Sequence, residues 1–260
     1  MTSVALVTGA GRGIGAATVR ALADAGWCVV ALDVCADDPT LGYAMATRAD
    51  LDAVVGHAPD RITGCVADVR DVDALAAAVA DAEATWGGLD AAIACAGVIA
   101  GGVEQHLLAA DAERTVLEVN LLGVLNLARV AMPALLRRPP PRSGRFVAVA
   151  SAAATRGLPM LAAYCAAKAG VVGLVRALAV ELAAEGITVN AVCPGSTETA
   201  ILRQSAQLYD LPSTATFADQ QPIGRLVRAD EVARAVVFLA SAGAGAITGT
   251  ALPVDGGMAL

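Results

Sequence analysis

Short blocks of consecutive apolar residues alternate along this chain with longer stretches whose apolar positions recur every three or four residues. The blocks are Val4 to Thr8, Cys28 to Asp33, Ile62 to Ala67, Leu89 to Cys95, Arg145 to Ala150, Ile187 to Cys193 and Gly249 to Val254. Unbroken apolar runs of this length predict strands buried on both faces, as in a parallel sheet. Between them, Ile14, Ala17, Ala21, Leu22 and Ala25 make one helical stripe, closed by Gly26, and Val72, Leu75, Val79, Ala82 and Trp86 make another. Longer helices are predicted from about Asp111 to Leu136, ended by the proline-rich stretch 139–144, and across the apolar run Leu158 to Leu182. A last helix starts at Asp230. Strand and helix alternate throughout, the pattern of an α/β fold with a doubly wound parallel sheet flanked by helices. No repeat or linker interrupts it, so residues 1–260 are expected to form a single domain.

Two stretches depart from the alternation. Residues 34–50 are longer than an ordinary strand-to-helix connection, with a helix-like segment beginning near Thr47. Residues 196–224 mix polar side chains with Ile201, Leu202, Leu208, Tyr209, Leu211 and Phe217, and read either as a substrate lid or as an interface helix.

Composition narrows the class. Hydrophobic residues make up 57% of the chain, enough for a large core, and a net charge of −7 without an extended basic run argues against nucleic acid or anionic membranes as partners. The amino-terminal residues enter a strand pattern directly, and the longest uncharged stretch, Ala235 to Val254, is broken by Ser, Thr, Pro and Gly. A cytoplasmic protein without a membrane span is the expectation. The six cysteines form no C-x-x-C pair and read as small hydrophobes, and His57 and His106 are too far apart to suggest a metal site. No metal is expected.

The candidate chemistry lies at the ends of the blocks. After the first, Gly9, Gly13 and Gly15 form G-x-x-x-G-x-G around Arg12 and Ile14, at a strand-to-helix junction. Such a turn cradles a phosphate on free amides and the helix dipole, or is simply a tight turn. Asp33 ends the second block about twenty residues on, where an acid binds the ribose hydroxyls of NAD and repels a 2′-phosphate, unless it is a turn residue. Arg12 is the counter-argument, a cation able to meet that phosphate, but the carboxylate outweighs it and NAD is the expected cofactor. Asp68, followed by Val69, either accepts a hydrogen bond from adenine or caps a turn. Asn120, between Val119 and Leu121, is either a satisfied core amide or a water-binding group. Ser151 and Pro194-Gly195 end later strands, at the edge where open α/β sheets bind ligands. Tyr164 and Lys168 share a helix face, where an ammonium favours the phenolate, although this spacing also arises by chance.

Taken together these residues resemble the short-chain dehydrogenase/reductase family over nearly the whole chain. Thr8-Gly9-x-x-x-Gly13-Ile14-Gly15, Asp68-Val69, Asn120, Ser151 thirteen residues before Tyr164, Lys168, Pro194-Gly195 and Asp255-Gly256-Gly257 fall in family order. Cys95-Ala96-Gly97 departs from the family's Asn-Ala-Gly, a change expected to touch local stability more than activity. The resemblance implies a Rossmann-like NAD-binding domain and interconversion of a secondary alcohol and a ketone. In it Tyr164 is the general acid/base, Lys168 lowers its pKa and binds the nicotinamide ribose, Ser151 holds the substrate oxygen and Asn120 organises a relay water. Ala96 and Gly97 would line the cofactor site, and Pro194, Gly195, Thr197 and Thr199 would fix its carboxamide and phosphates. A homotetramer joined through the helices of Asn120 and Tyr164 is also implied.

A narrower similarity, carried by Asp33-Val34-Cys35-Ala36-Asp37-Asp38-Pro39 and by Ala-Ala-Ala-Thr-Arg-Gly-Leu after Ser151, is to the mycofactocin-associated branch of the family. It implies tightly held NAD, clamped at its adenosine end by residues 34–50, and a mycofactocin-type redox carrier as electron acceptor. The alternatives are an ordinary 3-oxoacyl-thioester reductase with exchangeable cofactor and a non-catalytic nucleotide-binding regulator. A small hydrophobic alcohol or ketone is the expected substrate class.

Overall fold

The computed structural model describes residues 2–260. Seven strands, β1 (Val4–Thr8), β2 (Cys28–Asp33), β3 (Ile62–Val66), β4 (Ala91–Ala94), β5 (Arg145–Val149), β6 (Thr188–Pro194) and β7 (Ala251–Val254), form one sheet in the order β3-β2-β1-β4-β5-β6-β7. All pairs are parallel. The expected fold class holds, with several strand ends shifted by one or two residues from the apolar blocks.

Alternation along each strand divides the core in two. In β1, Val4 and Leu6 face one layer and Ala5 and Val7 the other; in β5, Phe146 and Ala148 oppose Val147 and Val149. Helices α1 (Gly13–Asp24), α2 (Arg48–Val55) and α8 (Ala229–Ala240) cover the Val7 side through Val19, Leu22, Leu51, Val232 and Leu239. Helices α3 (Val72–Trp86), α4 (Ala110–Leu117), α5 (Gly123–Arg137) and α6 (Ala162–Leu182) cover the other side through Leu75, Val116, Leu127 and Val175. A further helix, α7 (Ala200–Leu208), lies outside both layers, where Leu202 and Ala206 pack on Phe217 in a small cluster of their own.

Two helices differ from their predicted course. The helix expected over 111–136 is continuous from Ala110 to Arg137 but contains one π turn, Glu118–Leu122, centred on Asn120. The run Leu158 to Leu182 is helical only from Ala162: Met160 has φ 57°, a left-handed conformation that no α-helix contains. The stretches 110–137 and 162–185 are long and apolar enough to cross a membrane by length and composition, yet each lays one face on the sheet.

The cysteines are all free; Cys28 and Cys193 are buried and the other four partly so. His57 Nε2 lies 2.8 Å from Asp24 Oδ1 on the surface, and His106 is exposed. Neither reaches the crevice between β1 and β4, where the sheet order reverses and an open α/β sheet binds its ligand.

Candidate active site

A groove of about 750 Å³ runs along the carboxyl edge of the strands and collects nearly every site residue expected from the sequence. Its floor is the glycine loop. Gly9 has φ +66°, and a Cβ there would stand 2.6 Å from Ala96 Cα; the Thr8 hydroxyl accepts from the amides of Cys95 and Ala96 at 3.2 and 3.3 Å. These contacts lock the ends of β1 and β4 together and leave a cradle only glycine permits. Arg12 caps α1 with extended backbone and no side-chain bond, so the first-turn amides of Gly13, Ile14 and Gly15 face the groove. Thr199, which caps α7 by accepting from Leu202 N at 3.3 Å, stands across from them: a Cβ on Gly13 would lie 3.3 Å from its methyl. A dinucleotide's pyrophosphate fits this floor in size and in polarity.

At one end the groove is acidic. Asp33 is 8% exposed, and its Oδ2 accepts from Gly11 N at 2.8 Å, which fixes the glycine loop to the tip of β2. Asp68 is gripped by Arg70, whose guanidinium also reaches Asp38 Oδ2 at 3.0 Å. Residues 34–47 form a strap at this end. Thr40 donates to Asp38 Oδ1 at 2.6 Å and accepts from the Thr115 hydroxyl on α4 at 2.8 Å, the Tyr43 hydroxyl accepts from Ile99 N at 2.9 Å, and Asp37 accepts from Met45 N at 2.7 Å. Ala46 is buried over Gly11. Sequence reasoning delimited this stretch but missed its anchors Thr40, Tyr43 and Arg70; one of the chain's three tyrosines, in a long loop without strand or helix periodicity, was the available signal.

The catalytic candidates lie at the other end. Ser151 follows β5, and its side chain accepts from Ala153 N at 3.1 Å. Tyr164 lines the groove beside Ser151; burial pushes the phenol up to about 12, against the lowering effect of the Ser151 side chain. Lys168 is 4% exposed, donates from Nζ to Val149 O at 2.9 Å, and lies 5.7 Å from the centre of the Tyr164 ring. Burial brings its ammonium down to about 8. The expected lowering of the tyrosine pKa by Lys168 is therefore not what governs the phenol here: desolvation dominates both groups.

Asn120 is wholly buried, with its amide committed. Oδ1 accepts from Val98 N at 3.1 Å, and Nδ2 donates to Val98 O at 2.8 Å and Val116 O at 2.9 Å. Of the two sequence readings, its side chain is the satisfied core amide. Its Oδ1 stands where a Cβ on Gly97 would meet it at 2.9 Å, so it also holds Gly97 against the groove. Val69 is fixed by Asn126, which donates to Val69 O at 3.0 Å. Cys95, at the position of the family's asparagine, is partly buried, and desolvation pushes its thiol up to about 12. Its backbone amide, bound to Thr8, braces the sheet.

Beyond Ser151 the groove is apolar and roofed. Phe217 is 5% exposed and meets the Tyr209 ring edge-on at 6.3 Å, while the Tyr209 hydroxyl donates to Pro159 O at 2.7 Å. Residues 196–224 thus cover this end, with α7 and the short helix Thr214–Gln220 packed on each other. Thr197 donates to Gly195 O at 2.9 Å, and Gly195 packs so closely on the Asp255 turn that a Cβ would lie 2.8 Å from Asp255 Cα. Arg156, part of the Ala-Ala-Ala-Thr-Arg-Gly-Leu stretch but assigned no role of its own from the sequence, lines this end and donates from Nη1 to Met258 O at 2.7 Å.

Comparison with known proteins agrees with this geometry. The family described as "Enoyl-(Acyl carrier protein) reductase" matches residues 9–259. Cis-4-hydroxycyclohexanecarboxylate dehydrogenase of Sinomonas cyclohexanicum is 43% identical over 98% of this chain and 95% of its own length. The (-)-trans-carveol dehydrogenase of Rhodococcus erythropolis is 35% identical over 99% and 97%. Carveol dehydrogenase from Mycobacterium avium, solved in complex with NAD, superposes with a TM-score of 0.93 at 34% identity, covering 98% of this chain and 97% of that one. A nucleotide cradle beside a Ser-Tyr-Lys constellation, matched over almost its whole length by alcohol dehydrogenases, identifies this chain as a member of the short-chain dehydrogenase/reductase family of oxidoreductases acting on CH–OH groups.

Proposed function

We propose that the protein oxidises a secondary alcohol carried on an apolar ring to the ketone, with NAD in preference to NADP. The observation that carries this reading is the placement of Ser151 and Tyr164 together at the apolar end of the groove, opposite the glycine cradle, with Lys168 Nζ 5.7 Å from the centre of the Tyr164 ring. The substrate hydroxyl would sit between them, Ser151 holding the oxygen and Tyr164 Oη taking its proton. Bound NAD supplies the hydride acceptor, and its positive ring favours the phenolate that burial alone disfavours. Lys168 would bind the nicotinamide ribose. Asn120 would hold any relay water through the backbone of its π turn, since its side-chain atoms are used. Gly9, Gly13, Gly15, Ala96, Gly97, Pro194, Gly195, Thr197 and Thr199 would fix the cofactor along the groove, and residues 196–224 would act as the substrate lid.

Asp33 supports NAD over NADP because a 2′-phosphate would lie against its carboxylate. The apolar wall and the ring alcohols named for two relatives support the substrate class. The strap supports a tightly retained cofactor, with electrons passed on to a mycofactocin-type carrier. Exposed Leu122, Leu125 and Val180 on the long helices support a homotetramer joined there.

Purification without added cofactor, denaturation and identification of the released nucleotide, followed by its redox change with a panel of cyclic alcohols, tests the reading. NAD released only on denaturation and reduced by a ring alcohol is the expected result. NADP, or no reduction by any alcohol, overturns it; NAD that exchanges freely returns the protein to the ordinary reductases.

A further inference from the structure

The four acidic side chains lining the groove, Asp33, Asp37, Asp38 and Asp68, all lie at its strap end. The roofed end beyond Ser151 has one ionic side chain of its own, Arg156, apart from the buried Lys168. Eight other arginines have a carboxylate within 4.0 Å, whereas among the described residues none pairs with Arg156.

Its placement is fixed relative to the catalytic serine. Ser151 caps the short helix Ala152–Ala154, and the Arg156 amide donates to Ala152 O at 2.9 Å, so both residues belong to one turn. At the far end of the side chain, Nη1 donates to Met258 O at 2.7 Å. Met258 is held in turn, because Asp255 accepts from Gly257 N and Ala259 N at 2.9 Å each. A guanidinium has five donors in a planar fork, and this tether uses one, orienting the rest. The molecule as a whole, at net charge −7, repels anions, so a lone cation here acts locally and selectively.

We propose that Arg156 is a specificity-determining residue that binds a carboxylate on the substrate, making the preferred substrates hydroxy acids in which an apolar ring separates the carboxylate from the reacting hydroxyl. This rests on the function proposed above. The ring would lie against Leu158, Leu161 and Phe217, and the carboxylate would take a charge-assisted pair of hydrogen bonds from the guanidinium. The bonds are the same in alcohol and ketone, so Arg156 acts on binding and orientation, not on the proton transfer.

The test compares 3- and 4-hydroxycyclohexanecarboxylate with their primary amides, on the NAD-loaded protein and its Arg156→Gln and Arg156→Lys variants. Affinity is read by calorimetry and turnover by nucleotide reduction. In the native protein the better acid should bind about 30-fold more tightly than its amide. Arg156→Gln should bring that ratio close to one, mainly through KM, and Arg156→Lys should restore part of it. Acid and amide bound equally by the native protein, or a ratio unmoved in Arg156→Gln, overturns the proposal. A variant that instead loses acetoacetyl-CoA reduction, with acid and amide treated alike, also overturns it. Selective binding without turnover of any alcohol would sustain the role of Arg156 and overturn the oxidation reading, so the two failures are distinct.

Discussion

The Lys168 ammonium lies 5.7 Å from the centre of the Tyr164 ring, yet its hydrogen bond runs to Val149 O at 2.9 Å. Lys168 is buried and Tyr164 partly so, and desolvation shifts them in opposite senses: the phenol rises to about 12 while the ammonium falls to about 8. Each neutral form is favoured by the site itself.

Lys168→Met should therefore stabilise the protein at neutral pH. Below pH 8 the lysine is charged in both folded and unfolded chains, and the folded one bears a desolvation penalty of about 3 kcal/mol, offset by about 1 kcal/mol from the Val149 hydrogen bond. Between about 8 and 10.5 the unfolded chain holds a proton the folded one has lost, so the native protein gains stability as pH rises. Urea unfolding should show the variant about 2 kcal/mol more stable at pH 7, with the gain vanishing just below about pH 10. A variant less stable than the native protein at pH 7 contradicts this account.

Tyr164→Phe removes the proposed proton acceptor while keeping the ring. Alcohol oxidation should fall about a thousand-fold, with NAD retained as in the native protein. Activity within tenfold of native would transfer the proton role to another group.

Asp33→Asn keeps an acceptor for Gly11 N and removes the charge. The preference for NAD over NADP should narrow by about tenfold, or 1.4 kcal/mol, read as the ratio of the two dissociation constants. An unchanged ratio would mean that the Asp33 carboxylate does not face the ribose.

Tyr43→Phe leaves Ile99 N without its partner and loosens the strap. Release of NAD, followed by rapid mixing with a competing nucleotide, should speed up roughly five- to tenfold. Release at the native rate would assign retention to the glycine cradle alone.

What was readable in the sequence was what depends on neighbours in the chain. The apolar blocks specify strands buried on both faces, and the glycines after β1 specify a loop that only small residues allow. Ser151, Tyr164 and Lys168 were found because helix spacing and strand ends place them. The anchors of the strap were not legible, since Tyr43 meets a backbone amide 56 residues away. The tether of Arg156 was hidden for the same reason: its partner Met258 lies 102 residues on. The start of α6 was misplaced because Leu158 to Leu161 is as apolar as the helix that follows, although Pro159 marks the break.

The π turn at Asn120 has a consequence for the whole of the helix that contains it. Ala112, Val116, Asn120, Val124, Ala128 and Met132 are all buried, a spacing of four throughout. At 3.6 residues per turn such a stripe advances about 40° around the axis with every step and would wind off the sheet before the helix ended. The one wider turn takes up roughly a residue's worth of that rotation, about 100°, and returns the second half to register with the first. Asn120 sits at the point of correction, so the distortion that opens the backbone beside the catalytic groove is also what lets a 28-residue helix keep one face on the core.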